Sequence, residues 1–262
     1  MGKLTLDKRM LEYELMKSYP NISCFSTTRY GGHSTGLYSS FNCTHYCGDD
    51  DLHVQKNKEE LMSLLVQRPL ALAVPEQIHG TCVKILSSVS DVNDLDGFDA
   101  LVTQVPGICL CVSTADCIPV LLYDTRNQVV AAAHAGWRGT VERIVEKVLD
   151  EMARFYGTRG EDVKACIGPG ISLEAFEVGD EVYAAFEKAG FKMSDISCKY
   201  KKWHIDLWEA NRLQLLDKKV GANNIELARI CTYKECMHFF SARRLGVKSG
   251  RILSGIMLHQ MR

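Results

Sequence analysis

The chain has 262 residues, of which 46% are hydrophobic and 24% charged, which is typical of a globular protein with a large core. Its formal net charge of −1 excludes the strongly basic surface that nucleic-acid binding needs. It has no run of about 18 apolar residues, so we expect no membrane span.

The cysteine count points to a reducing compartment. The chain has eleven cysteines, and residues 1–16 carry charges instead of the apolar centre of a secretory signal. We therefore expect mostly reduced thiols, buried or metal-bound, in a cytoplasmic protein.

The first half of the chain predicts a loop and a helix before its main strands. Residues 1–20 predict an ill-defined opening strand or arm, and residues 26–42 are rich in Gly, Ser, Thr and Tyr, which indicates a loop. Residues 51–65 predict a helix with leucines on one side. The Cys-Thr-His-Tyr-Cys cluster at 43–47 has no matching cysteine pair at regular spacing, which favours ordinary packing over a metal site.

Two strands are predicted before the centre of the chain. Residues 97–102 lead into a strand, and residues 107–113 form another. Cys109 and Cys111 fall on one face of the second strand, where small core side chains are more typical than metal ligands.

The central pattern predicts a β-hairpin. Two apolar runs, 118–123 and 128–133, flank a short polar turn at 124–127. If the two ends of the turn face each other, Cys117 lies opposite His134 at the open end, and a slip of one or two residues keeps them neighbours. A thiolate beside an imidazole indicates either a metal site or a Cys-His nucleophile pair.

His79 is a third candidate ligand, because it stands beside Gly80 just before the apolar stretch 82–86. Two histidines and one cysteine form a catalytic zinc set with one open position, and the same set can take copper. Because the spacing between the three residues is irregular, a core or structural role for each stays equally open.

Residues 140–155 predict the clearest amphipathic helix. It would begin directly after Gly136 and Gly139, whose backbone can approach a ligand closely, and helix N-termini favour anions. We therefore predict a cradle for phosphate or an oxyanion formed by Gly136, Gly139 and Thr140, with Arg138 as a charged donor.

The last hundred residues mix strands and helices without regular alternation. Residues 163–167 predict a strand, residues 180–189 a helix, and the pair Asp206 and Glu209 a capping box that opens another helix. The pattern as a whole predicts a single α+β domain of mixed sheets over residues 1–262.

The motifs Thr-Ala-Asp-Cys at 114–117 and His-Ala-Gly-Trp-Arg-Gly-Thr at 134–140 resemble the laccase-domain, or YfiH-type, family. Gly170 stands where members often have a cysteine after Gly-Pro, so any role of that cysteine is not carried over. The similarity covers nearly the whole chain and includes residues 25–32, 40–42, 77–80, 167–169, 206–211, 240–244 and 250–251.

The resemblance implies a chemistry and a ligand set. Members are described as multicopper polyphenol oxidoreductases and as zinc-dependent purine nucleoside phosphorylases. The family's metal ligands fall on His79, Cys117 and His134. The implied reactions are phosphorolysis of adenosine, inosine and methylthioadenosine, and deamination of adenosine. Zinc is the expected cofactor, with copper as the alternative.

These reactions suggest roles for the polar residues nearby. In deamination, metal-activated water attacks the purine, with Cys117 and His134 at the metal; Asp116 is either the general acid/base or a turn cap. Phosphorolysis needs positive charge, for which Arg138 is a candidate beside the glycine backbone.

Three further residues are expected to contact substrate. Arg29 is either a solvated loop residue or an anion-binding residue beside the backbone of Gly31 and Gly32. Arg243 is either part of a basic surface hairpin or a contact to phosphate or ribose. Gln77, in the motif of His79, is also expected to contact substrate.

Other functions stay open at this point. A copper phenol oxidase would need several histidine-rich clusters, whereas this chain has eight histidines, mostly isolated. A metal-free hydrolase editing peptidoglycan precursors would use Cys117 as nucleophile and His134 as base. A non-enzymatic zinc module would need a fourth protein ligand. The expected partners are a purine nucleoside and inorganic phosphate, without nucleic acid or membrane, in a monomer or homodimer.

Overall fold

The apolar runs of the chain pair into two six-stranded sheets and one three-stranded sheet. The computed structural model describes residues 2–260. Its strands are β1 (Lys3–Leu4), β2 (Met10–Glu12), β3 (Ile22–Thr27), β4 (Ala71–Ala73), β5 (Val83–Leu86), β6 (Ala100–Thr103), β7 (Ile108–Thr114), β8 (Ile118–Asp124), β9 (Val129–Ala135), β10 (Val163–Ile167), β11 (Glu177–Val178), β12 (Ser197–Lys199), β13 (Trp203–Ile205), β14 (Ile225–Leu227) and β15 (Ile252–Leu258).

Helices cover the outer faces of the large sheets. The α-helices are α1 (Asp51–Leu64), α2 (Trp137–Val141), α3 (Ile144–Tyr156), α4 (Asp180–Lys188), α5 (Met193–Ile196), α6 (Leu207–Asp217) and α7 (Ala242–Leu245). Short 3-10 turns lie at Glu14–Ser18, Gly36–Tyr38, Val89–Asn93, Gly160–Asp162 and Ala222–Asn224. Within residues 2–260, none of these helices has the length and apolar character that crossing a membrane requires.

The two large sheets mix parallel and antiparallel pairs. The first sheet has the order β1-β2-β3-β15-β7-β4 and is antiparallel except between β4 and β7. The second has the order β14-β10-β8-β9-β6-β5, with parallel pairs at both edges. These mixed sheets with helices confirm the predicted α+β class.

The second sheet is buried on both faces, which explains why β8 and β9 read as continuous apolar runs. Successive side chains of a strand point to opposite faces. Ala131 and Ala133 accordingly pack with α3, while Val130 and Ala132 pack with residues of the first sheet. His134 has the parity of Val130 and Ala132, so its side chain starts from the face between the two sheets.

A third apolar cluster lies between the first sheet and α1. Leu61 of α1 packs there with Cys109 and Cys111 of β7, whose sulfur atoms are 3.7 Å apart. The prediction that these two cysteines are core side chains is confirmed, as is the helix predicted over residues 51–65.

The opening residues are more ordered than the sequence predicts. Of the predicted strand or arm, the strand is present: β1, β2 and the 3-10 turn at Glu14–Ser18 occupy about half of residues 2–20. Tyr13 is buried, and its hydroxyl is 2.7 Å from that of Ser26 in β3.

The predicted hairpin is confirmed, but its predicted register is wrong by two residues. Asp124 pairs with Val129, and Pro119 pairs with His134. Cys117 therefore stands just outside the paired region. As the allowance for a slip predicts, the Cys117 and His134 side chains are still neighbours.

A four-residue turn causes the register shift. The Asp124 carboxylate accepts hydrogen bonds of 2.9 Å from the backbone N–H groups of Arg126 and Asn127. Gln128 then takes a left-handed conformation with φ of 54°. An aspartate that caps its own turn in this way stabilises the longer connection.

The helix predicted over residues 140–155 is broken in two. Arg143 has a left-handed backbone with φ of 64° between α2 and α3. The N-cap of the first piece is Gly136, so this helix begins at Trp137 instead of Thr140. The carbonyl of Thr140 accepts a hydrogen bond from the Gln214 side chain of α6, which satisfies one acceptor near the break.

Candidate metal centre

Three side chains that can bind a metal meet at the open end of the β8–β9 hairpin. The ligand atoms of His79, Cys117 and His134 all lie within 4.8 Å of one another. His134 belongs to β9, Cys117 to the link between β7 and β8, and His79 to the loop between β4 and β5. The three ligands named from the sequence are thus together in the folded chain.

The link that carries Cys117 crosses from the first sheet to the second. Asp116 within it has φ of 87°, and its carbonyl accepts the N–H of Ile171 over 2.8 Å. Its carboxylate accepts the hydroxyl of Thr232 and the backbone N–H of Arg243, each over 2.7 Å. These contacts tie Asp116 to three segments far along the chain, and they hold the link that carries Cys117 in place.

Asp99 organises the two histidines and was missed by the sequence analysis. Its side chain is fully buried, and its carboxylate accepts the Nδ1–H of His134 over 2.8 Å. It also accepts the backbone N–H groups of Ile78, His79 and Gly80 over 3.3, 3.0 and 2.8 Å. The signal in the sequence was an acidic residue directly before the apolar strand β6. A core strand does not need a carboxylate, and burying one costs free energy unless it is paired.

The electrostatics of the cluster favour a metal-binding thiolate. Burial alone would raise the pKa of Cys117, but the charge of His134 and hydrogen bonds with His134 and His79 lower it to about 6. Burial alone would lower the pKa of His134, but Cys117 and Asp99 raise it to about 9. Burial would also raise the pKa of Asp99, and the hydrogen bond from His134 keeps that pKa below its ordinary value.

Two glycines let the backbone approach the cluster. A Cβ atom at Gly136 would lie 3.1 Å from the Cys117 sulfur and 3.2 Å from Cδ2 of His79. A Cβ atom at Gly139 would lie 3.0 Å from the carbonyl oxygen of Gly80. The start of α2 therefore packs directly on the loop that carries His79.

Gln77 anchors the His79 loop to β7. Its side-chain nitrogen donates to the carbonyl of Ser113 over 2.8 Å, and its oxygen accepts the N–H of Ser113 over 2.7 Å. Both ends of the amide are thus paired with the strand that leads to Cys117.

The predicted arginines differ in how they are held. Arg138 is exposed, with its guanidinium carbon 4.4 Å from the ring centre of Trp137, and within residues 2–260 its side chain has no hydrogen bond or ion pair. Arg243 donates to the carbonyl of Glu177 over 3.3 Å, besides its backbone contact with Asp116.

Arg29 and Thr140 have their polar groups engaged inside the protein. Arg29 donates to the carbonyls of Ser39 and Cys236 over 2.9 and 2.5 Å, and burial lowers its pKa. Thr140 is fully buried, and its hydroxyl accepts from the Asn211 side chain over 3.2 Å. Both residues join segments of the fold.

A family model described as "multi-copper polyphenol oxidoreductase laccase" matches residues 23–259. The chain belongs to this laccase-domain family. It is 55% identical to a purine nucleoside phosphorylase of Bacteroides thetaiotaomicron, over 99% of this chain and all of the relative. It is 41% identical to adenosine deaminase RL5 from an unknown prokaryotic organism, over 94% and 99% of the two chains. The crystal structure of Bacillus licheniformis hypothetical protein YfiH superposes with a TM-score of 0.91 at 28% identity, covering 98% of both chains.

The ligand set of this laccase-domain protein suits one metal ion. One thiolate and two imidazoles are typical of catalytic zinc and leave one position open, and copper accepts the same donors. The carboxylate behind His134 is the usual partner of a metal-binding histidine. Within residues 2–260 this is the single group of three or more such ligands close enough to share an ion, which does not match a centre of several coppers.

The cysteines other than Cys117 range from buried to exposed, and Cys82 is exposed instead of buried or metal-bound as expected. All eleven are free thiols. Cys43 and Cys231 are buried in apolar clusters. Cys43 is thus a core side chain, which agrees with the packing predicted for the 43–47 cluster.

Proposed function

We propose that this protein is a zinc-dependent purine nucleoside phosphorylase that cleaves adenosine, inosine and methylthioadenosine and also deaminates adenosine. It is proposed to work as one catalytic domain over residues 1–262, as a cytoplasmic monomer or homodimer. Its partners are then a free purine nucleoside and inorganic phosphate.

The observation that carries this proposal is a cluster of three ligands, of which His79 is exposed and Cys117 partly exposed. His79, Cys117 and His134 converge in a chain that is 55% identical, end to end, to a protein named as a purine nucleoside phosphorylase. The relative named as an adenosine deaminase supports the second activity. A free ligand position is what distinguishes a catalytic from a structural zinc site.

The proposed ligands are His79, Cys117 and His134. Bound zinc supplies a Lewis acid that polarises an oxygen and brings the pKa of water toward neutrality. The chain keeps Cys117 as thiolate through its neighbouring imidazoles, and Asp99 keeps the proton of His134 on Nδ1. Gly136 keeps the adjacent space free of a side chain.

Arg138 is the proposed phosphate contact. It lies two residues beyond Gly136, and its guanidinium is exposed and unpaired within residues 2–260. A guanidinium held only by stacking on Trp137 can form charge-assisted hydrogen bonds with phosphate oxygens. Arg243 is proposed to add positive charge on the side of Asp116.

Product analysis tests the proposal. Zinc-loaded protein with adenosine and phosphate should release adenine and ribose 1-phosphate, and should form inosine whether or not phosphate is present. Protein stripped of metal should do neither until zinc is restored. Protein that binds zinc but leaves adenosine and inosine unchanged would contradict the proposal.

A Cys-His hydrolase is the second candidate, because the lowered pKa of Cys117 is also what a nucleophile needs. In that case His134 is the base, and activity survives removal of metal. Cleavage of a peptidoglycan precursor by the metal-free protein, without nucleoside turnover, would favour this candidate.

A further inference from the structure

The Asp99 carboxylate is surrounded by N–H donors from both histidine-bearing segments. Three donors are the consecutive backbone N–H groups of Ile78, His79 and Gly80, and the fourth is Nδ1 of His134. The side chain is fully buried, so these four groups replace the water that would otherwise solvate it.

The contact with His134 fixes which ring nitrogen faces the cluster. An ionised carboxylate can only accept hydrogen bonds, so the proton of the neutral ring must be on Nδ1. The lone pair of Nε2 is then free for a metal. The backbone N–H of His134 also donates to the Asp99 carbonyl over 2.8 Å, which fixes the residue as well as its ring.

The contact with residues 78–80 fixes the other histidine through its backbone. His79 has φ of 62°, a left-handed conformation that is energetically unfavourable for any residue with a side chain. Three successive N–H groups that converge on one anion form a nest, and the anion here is the Asp99 carboxylate. His79 is exposed, so its position depends on backbone contacts, of which this one acts on His79 itself and the Gln77 anchor acts two residues away.

We propose that Asp99 is a positioning residue that holds both histidine ligands at once, and that it sets the affinity of the centre for zinc. The inference rests on the proposed metal centre and adds a residue that binds no metal itself. One carboxylate links the buried ligand on β9 to the exposed ligand on the β4–β5 loop.

Replacing the carboxylate by an amide must lose some of these hydrogen bonds, because an amide has only one acceptor oxygen. Oδ1 accepts from His134 and from the N–H of His79, and Oδ2 accepts from the N–H groups of Ile78 and Gly80. In Asp99→Asn, an amide oxygen kept at the first position turns the NH₂ group toward the N–H groups of Ile78 and Gly80. The opposite orientation places NH₂ against Nδ1 of His134, which then accepts and moves its proton to Nε2, where it blocks the metal. Either orientation weakens a ligand, although the size of the side chain is unchanged.

Zinc affinity, measured by competition with a chromophoric chelator on metal-free protein, tests the proposal. Asp124→Asn is the matched control, because Asp124 is also fully buried in the second sheet and accepts two backbone N–H groups, at the opposite end of the hairpin. Asp99→Asn should weaken zinc binding about 10- to 100-fold. Asp124→Asn should leave the affinity unchanged even if it lowers the melting temperature.

A third variant separates charge from packing. Asp99→Glu is a larger steric change than Asp99→Asn, but it keeps the carboxylate. If the charge matters more than the packing, Asp99→Glu should bind zinc more tightly than Asp99→Asn. The reverse order, or equal losses in Asp99→Asn and Asp124→Asn, would overturn the positioning role. Tight zinc binding by both wild type and Asp99→Asn would refute this inference alone. Absence of zinc binding by the wild type would refute the metal centre itself, and this inference with it.

Discussion

Gly136 faces Cys117 so closely that a Cβ atom at Gly136 would lie 3.1 Å from the Cys117 sulfur. The backbone of Gly136 is extended, with φ of −67°, a conformation open to any residue. Glycine is therefore required here for space and not for its conformational freedom. The same Cβ atom would lie 3.2 Å from His79, so a side chain would disturb two ligands at once.

We expect Gly136→Ala to weaken zinc binding and nucleoside cleavage by about 10-fold, a typical result of displacing metal ligands slightly. Gly221→Ala is the control, because its Cβ atom would meet its nearest neighbour at an ordinary 3.5 Å. Zinc titration and steady-state kinetics on both variants give the answer. Equal zinc affinities for the two variants would mean that the ligands can move without cost.

The two histidine ligands should differ in what they contribute to folding. His79→Ala removes an exposed side chain, so it should abolish zinc binding and change the unfolding free energy of the metal-free protein by less than about 0.5 kcal/mol. His134→Ala removes a donor from buried Asp99, so it should also cost about 1–3 kcal/mol. Elemental analysis and urea unfolding of metal-free samples measure both effects. Zinc retained by His79→Ala would remove His79 from the site.

The apolar pattern predicted the hairpin but could not set its register. Either a two- or a four-residue turn satisfies the same apolar runs, and the choice depends on how the Asp124 carboxylate bonds to Arg126 and Asn127. The predicted proximity of Cys117 and His134 is unaffected by this error, because Cys117 lies beyond the paired residues and its side chain can still reach His134.

Long-range partners explain what the sequence analysis missed. Asp99 is 20 residues from His79 and 35 from His134, so no local pattern connects them. Arg29 shows the converse case. Its position beside two glycines suggested an anion site, but its side chain donates to the backbone carbonyls of Ser39 and Cys236. A sequence does not show which backbone carbonyls need a donor.

The state of the cysteines gives a simple test of the environment in which the protein works. We expect thiol titration of the denatured protein, prepared without added reductant, to count nearly all eleven cysteines as free. In the native metal-free protein, alkylation of Cys117 should slow as the pH falls through about 6, because its lowered pKa keeps the thiolate present above that value. Mass spectrometry of alkylated peptides measures both, and several disulfides would contradict the cytoplasmic assignment.

The role of Arg138 can be separated from the metal centre because one of the two proposed reactions uses phosphate and the other does not. We expect Arg138→Ala to raise the KM for phosphate in adenosine phosphorolysis by about 10-fold or more, the loss typical of a hydrogen bond to a charged group. Phosphate-independent formation of inosine should fall much less, and zinc content should stay unchanged. Arg154→Ala is the matched control, since Arg154 is also exposed and its guanidinium lies 5.1 Å from the ring of its neighbour Phe155. Equal losses in both reactions for Arg138→Ala would point to purine positioning or to local structure, and the phosphate assignment would be withdrawn.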